Sequence, residues 1–112
     1  MTGVQTCALP ILTGGNGNDS IYGQNGVDEL NGGAGDDNII GGLDSDLVVG
    51  DQGNDTVFGG GGADNIYGDT EDVSLPISGA DVLRGQGGND TINGGSGSDL
   101  LDGGAEIGRA HV

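Results

Sequence analysis

Nine aspartates recur along this chain at a spacing that aligns their carboxylates: Asp19, Asp28, Asp37, Asp46, Asp55, Asp64, Asp81, Asp90 and Asp99. Each stands sixth in a nine-residue phrase, G-G-x-G-x-D-x-U-x, whose eighth residue U is always aliphatic: Ile21, Leu30, Ile39, Val48, Val57, Ile66, Leu83, Ile92 and Leu101. Carboxylates and turn carbonyls brought into register offer oxygen ligands only, the donor set of a hard divalent cation. There is no thiol or imidazole cluster for zinc or copper, since the chain has one Cys and one His. Calcium suits flexible glycine turns better than magnesium, which demands a tight octahedron.

The elements that must position these carboxylates follow from the same period. Six residues of each unit read as turn and three as strand. Glycine at positions one, two and four is expected to supply positive φ and close approach. In the strand triplet only the eighth side chain points inward. Two units make one coil of a parallel β-solenoid, with a strand on each side. The inward ladders are then Ile21–Ile39–Val57–Leu83–Leu101 and Leu30–Val48–Ile66–Ile92. Coils stack about 4.8 Å apart. Carboxylates at that spacing repel by about 1 kcal/mol in water and by more where solvent is excluded. A column running from Asp19 to Asp99 therefore calls for a cation.

Over Gly14 to Asp102 the chain resembles the RTX (repeats-in-toxin), or haemolysin-type, calcium-binding repeat family. The resemblance implies an all-β, right-handed parallel β-roll of nine repeats. It also implies that the nine aspartates above are Ca2+ ligands, with turn carbonyls completing the shell. Ions between stacked turns would number at most seven, four on one stack and three on the other. Some units depart from the pattern. Leu43 and Asp44 stand where a small residue and Gly are expected, and Gln24, Asp51 and Gln86 replace the second Gly. The seventh unit carries an eight-residue insert within 70–78, expected to form a surface loop because Val82-Leu83-Arg84 resumes the register.

Composition bounds the remaining readings. Net charge is −16, Gly accounts for 28 of 112 residues, and Pro for only two. Such a chain lies near the disordered class without metal, so cation binding and folding are expected to be one event. The acidic surface argues against nucleic acid and anionic membranes as partners, and no apolar run is long enough to span a bilayer. Segments 1–11 and 106–112 share nothing with the repeats. One nucleotide string beginning GTG ACT GGA GTT encodes the first segment, and its reverse complement encodes I-G-R-A-H-V followed by a stop. Both segments read as translated sequencing adapter, which leaves 12–105 as the repeat fragment and removes Cys7, Arg109 and His111 from consideration.

An acidic tail would not keep an aliphatic residue at every eighth position. An EF-hand fails for want of a following helix and a twelfth-position Glu. The G-x-G-x-x-G runs lack a strand–turn–helix setting. An ice-binding threonine rank fails too, since Thr56 and Thr91 fall on different sides. No catalytic constellation is expected, and the carboxylates read as structural ligands. Outward Tyr22, Ile40 and Phe58 on one side, and Leu47, Val49 and Tyr67 on the other, read as faces covered by a flanking segment or a partner. By resemblance the module belongs to a larger secreted protein of a Gram-negative bacterium. It would fold on extracellular calcium and assist passage through type I secretion machinery. The alternatives are a spacer in a surface adhesin, or a scaffold in an extracellular protease, lipase or epimerase.

Overall fold

The computed structural model describes residues 4–6, 11–69, 79–104 and 109–111. They form a parallel β-solenoid of two facing sheets. One sheet takes β1 (Val4–Thr6), β3 (Ser20–Gln24), β5 (Asn38–Gly42), β7 (Thr56–Gly61), β9 (Val82–Gly87) and β11 (Leu100–Asp102), in that order. The other takes β2 (Ile11–Asn16), β4 (Glu29–Ala34), β6 (Leu47–Gln52), β8 (Asn65–Tyr67), β10 (Thr91–Asn93) and β12 (Arg109–His111). The chain alternates between sheets, so each coil is one strand from each and every lateral pairing is parallel. The terminal pairings of β1 and β12 are made by main-chain groups at open sheet edges, which need no particular side chains.

The aliphatic ladders run as the period requires. Ile21 pairs with Ile39, Ile39 with Val57, Val57 with Leu83 and Leu83 with Leu101. Opposite, Leu30 pairs with Val48, Val48 with Ile66 and Ile66 with Ile92. Eight of these side chains are fully buried; Leu101 and Leu12 pack on them from the ends. Leu12 extends the second ladder by one rung, pairing with Leu30 although no Gly-Asp turn precedes it. The register also survives the insert, since Val57 meets Leu83 and Ile66 meets Ile92 in unbroken pairings. The loop expected within 70–78 lies outside the described residues.

Two expectations about glycine need correction. First, strands do not stop at the ninth position. Most continue through the next unit's first two or three residues, and the position-one glycine is buried alongside the aliphatic, as Gly23 and Gly41 are. Second, positive φ belongs to positions two and four, while position-one glycines lack it. A Cβ on Gly14 would lie 2.6 Å from both the Asp19 Oδ2 and the Gly32 carbonyl. Position one is therefore glycine because no space remains for a side chain.

Four second- and fourth-position residues keep the left-handed backbone without being glycine: Gln24, Asp44, Asp51 and Gln86 have φ of 78°, 75°, 84° and 75°. An L residue held there costs about 1–2 kcal/mol, partly offset by the backbone entropy glycine would lose, roughly 0.5–1 kcal/mol. Gln24→Gly, at an exposed site, is therefore expected to stabilise the fold by about 0.5–1 kcal/mol, read as a raised urea midpoint at unchanged slope. A lowered midpoint would show that the glutamine side chain contributes more than its backbone costs.

Candidate metal centre

The solenoid carries the nine aspartates to its two turn edges as separate columns. Asp19, Asp37, Asp55, Asp81 and Asp99 stack on one edge; Asp28, Asp46, Asp64 and Asp90 stack on the other. Hydrogen bonds define each step. The Asp19 N–H donates to Asp37 Oδ1 at 2.8 Å, Asp37 N–H to Asp55 Oδ1 at 2.9 Å, Asp55 N–H to Asp81 Oδ1 at 2.8 Å and Asp81 N–H to Asp99 Oδ1 at 3.1 Å. On the opposite edge Asp28 donates to Asp46, Asp46 to Asp64 and Asp64 to Asp90, each at 2.9 Å. Each carboxylate after the first of its column thus spends one oxygen on the coil before it. Asp44 and its neighbours do not break the column, since Asp46 keeps both of its steps. An outer ladder, missed in the sequence, follows position five: Asn18 Oδ1 accepts from Asp36 N–H, Asp36 Oδ1 from Asn54 N–H and Asn54 Oδ1 from Ala80 N–H.

The other oxygen of each aspartate has no partner. Oδ2 of all nine is buried without a hydrogen bond, and so is Oδ1 of Asp19. Eight of the nine residues are buried, with relative exposures of 1–5%; Asp99, on the last coil, is half-buried. Orphaned carboxylate oxygens in such numbers are costly unless something neutralises them. Burial pushes the Asp55 carboxyl up to about 7, against the pull of the Asp37 N–H and with added repulsion from Asp81 and Asp37. Burial likewise raises Asp46, Asp64 and Asp81 to about 6, and it raises Asp37 as well.

The surroundings of the orphaned oxygens fit a hard cation. Asp19 Oδ2 and the Gly32 carbonyl converge on the bare Cα of Gly14, and Asp46 Oδ2 and the Gly59 carbonyl converge likewise on Gly41. Among the described residues no three acidic, His or Cys side chains gather into a ready-made metal cluster. A cation at these edges would therefore draw carboxylates from successive turns and complete its shell with backbone carbonyls, which is calcium chemistry rather than that of a thiolate or imidazole site.

Outward Tyr22, Ile40, Phe58, Leu47, Val49 and Tyr67 are half-buried, whereas Arg84 is exposed. Tyr22, Ile40, Phe58 and Arg84 lie side by side across β3, β5, β7 and β9. The Arg84 guanidinium covers the Phe58 ring at 5.6 Å from its centroid, a cation–π contact. Among the described residues no helix is long and apolar enough to cross a membrane.

Comparison with protein families matches residues 11–39, 40–72 and 77–107 to the model of the RTX calcium-binding nonapeptide repeat. Neither the curated proteins nor the solved structures gave a match.

Proposed function

Because the chain belongs to the RTX calcium-binding nonapeptide-repeat family, we propose that it is a calcium-folded module of a larger secreted bacterial protein. It would be unfolded and threadable where calcium is scarce and fold once exported. The observation that carries this reading is the pair of columns whose second carboxylate oxygens are all buried without partners. A protein built this way holds its fold only when those charges are neutralised. Extracellular calcium modules have dissociation constants on the order of 0.1–1 mM, between the free calcium levels inside and outside a cell. That difference would favour outward movement through type I secretion machinery, the partner we assign. The aspartates act in this reading as structural ligands and not as catalytic groups.

Far-UV circular dichroism of the chain during calcium titration tests it, with magnesium in parallel. A cooperative gain of β signal is expected with calcium at about 0.1–1 mM and none with equal magnesium. A β signal unchanged by calcium up to about 10 mM, well above that range, would remove the basis for a calcium-dependent fold.

A further inference from the structure

We propose that Asn25–Gly26 is a self-modifying site of the folded chain, where water converts the asparagine to aspartate or isoaspartate. The site depends on the fold alone, not on which cation sustains it. The chain has four Asn-Gly steps, at Asn16, Asn25, Asn31 and Asn93. In such a step the glycine nitrogen can attack the Asn Cγ, since glycine offers no Cβ to hinder the approach. At Asn25 the bond that forms joins Gly26 N to Asn25 Cγ, and the bond that breaks joins Cγ to the side-chain nitrogen. The proton of Gly26 N leaves with that nitrogen as ammonia, and a cyclic imide remains. Water opens the imide at either carbonyl, so amide and water become acid and ammonia with no change of oxidation state.

The fold separates the four steps. Ring closure brings the nitrogen and Cγ to the same side of the Asn Cα–C bond, about 3–3.5 Å apart at the point of attack. An extended strand holds them on different sides. Asn31 lies within β4 and Asn93 closes β10. Each is followed by a buried glycine, Gly32 or Gly94, pressed by the carboxylate of Asp37 or Asp99. Asn31 Oδ1 is itself buried, and Asn93 Oδ1 accepts the Gly95 N–H at 3.0 Å. Asn16 ends β2, and its nucleophile is tied down, since the Gly17 N–H donates to the Ala34 carbonyl at 2.7 Å.

Asn25 has none of these restraints. It lies in the turn between β3 and β4, and both it and Gly26 are exposed. A Cβ on Gly26 would meet nothing within 4 Å. The Gly26 N–H is held at 3.0 Å by Asp44 Oδ2, an exposed side chain rather than a sheet carbonyl. Exposed turns open at little cost while strands stay closed. The consequence falls on the neighbouring column. Either product adds a negative charge shortly before Asp28, and isoaspartate also adds a methylene to the main chain there. The step from Asp28 to Asp46 is therefore where the fold ages first.

The test uses the folded chain, verified by its far-UV β signal, and a urea-unfolded sample as the reference for intrinsic reactivity. Both are incubated at mildly alkaline pH, digested with pepsin and mapped by mass spectrometry. Electron-transfer fragmentation distinguishes isoaspartate from aspartate. In urea all four steps are expected to react. In the folded chain Asn25 is expected to react at least about tenfold faster than Asn16, Asn31 and Asn93, which wait on local opening. Asn25→Ser should keep the β signal and remove the fast conversion. The proposal is overturned if Asn25 of the folded chain converts as slowly as the other three, or if the fast conversion survives Asn25→Ser.

Discussion

Stripped of calcium by a chelator and titrated upward from about pH 4, the chain is expected to lose its β structure as pH passes through about 6–7. The sign follows from the columns. Asp46, Asp64 and Asp81 titrate near 6 in the folded state and Asp55 near 7, above the ordinary carboxylate value of 3.8. A raised acid binds its proton more tightly folded than unfolded. Its contribution is complete below the unfolded value and lost as pH rises through the folded one. Each tenfold gain in proton affinity on folding corresponds to about 1.4 kcal/mol, so Asp55 alone opposes folding at neutral pH by on the order of 2–4 kcal/mol. Several such groups together rival the whole margin of a small domain, about 5–15 kcal/mol. In the proposed calcium reading, protons and calcium are alternative neutralisers of the same oxygens. Circular dichroism across pH, with and without calcium, reads both. A calcium-free chain gaining β signal above neutrality would contradict the burial of these charges.

Asp55→Asn is expected to have opposite effects with and without calcium. Asparagine keeps an acceptor for the Asp37 N–H, 2.9 Å away in the native column, but removes the buried charge. Without calcium at neutral pH the variant should be more stable by about 1–3 kcal/mol, the scale of relieving an uncompensated buried group. With calcium it should be weaker, because the steps toward Asp37 and toward Asp81 both lose a ligand charge, raising the half-saturating calcium at least about tenfold. Asp36→Asn, at an exposed position whose carboxylate serves the outer ladder, should change either quantity little. Urea unfolding at two calcium levels separates the cases. A variant destabilised equally in both would reduce Asp55 to a packing residue.

Much of this was legible before any coordinates. A period of nine with aliphatics at the eighth position leaves one way to bury them, and the pairings of Ile39 with Val57 and of Leu30 with Val48 follow directly. The aspartate columns follow from the same stacking. What the sequence concealed is set by space rather than pattern. The reason for glycine at position one emerged only when Asp19 Oδ2 and the Gly32 carbonyl were seen to occupy the place of its side chain. Leu12 joined the core without its Gly-Asp turn because strand pairing needs only the register; its spacing from Leu30 was the available signal. Asp69, buried at position two where Gln24 and Gln86 are exposed, gave no signal beyond its place beside an insert.

The column bonds also share a direction. In every step an aspartate N–H reaches forward to the carboxylate of the following coil. The stack is therefore a polar filament in miniature, with chemically unlike growing ends. A coil joining on the C-terminal side must bring in charged acceptors and bury them, a step that waits on calcium. A coil joining on the N-terminal side brings N–H donors to column carboxylates already in place, together with its own aspartate, as Asp19 does with both oxygens buried and unpartnered. The two edges should consequently call for different caps, a donor for the unpartnered Oδ1 of Asp19 at one and an acceptor continuing the column beyond Asp99 at the other.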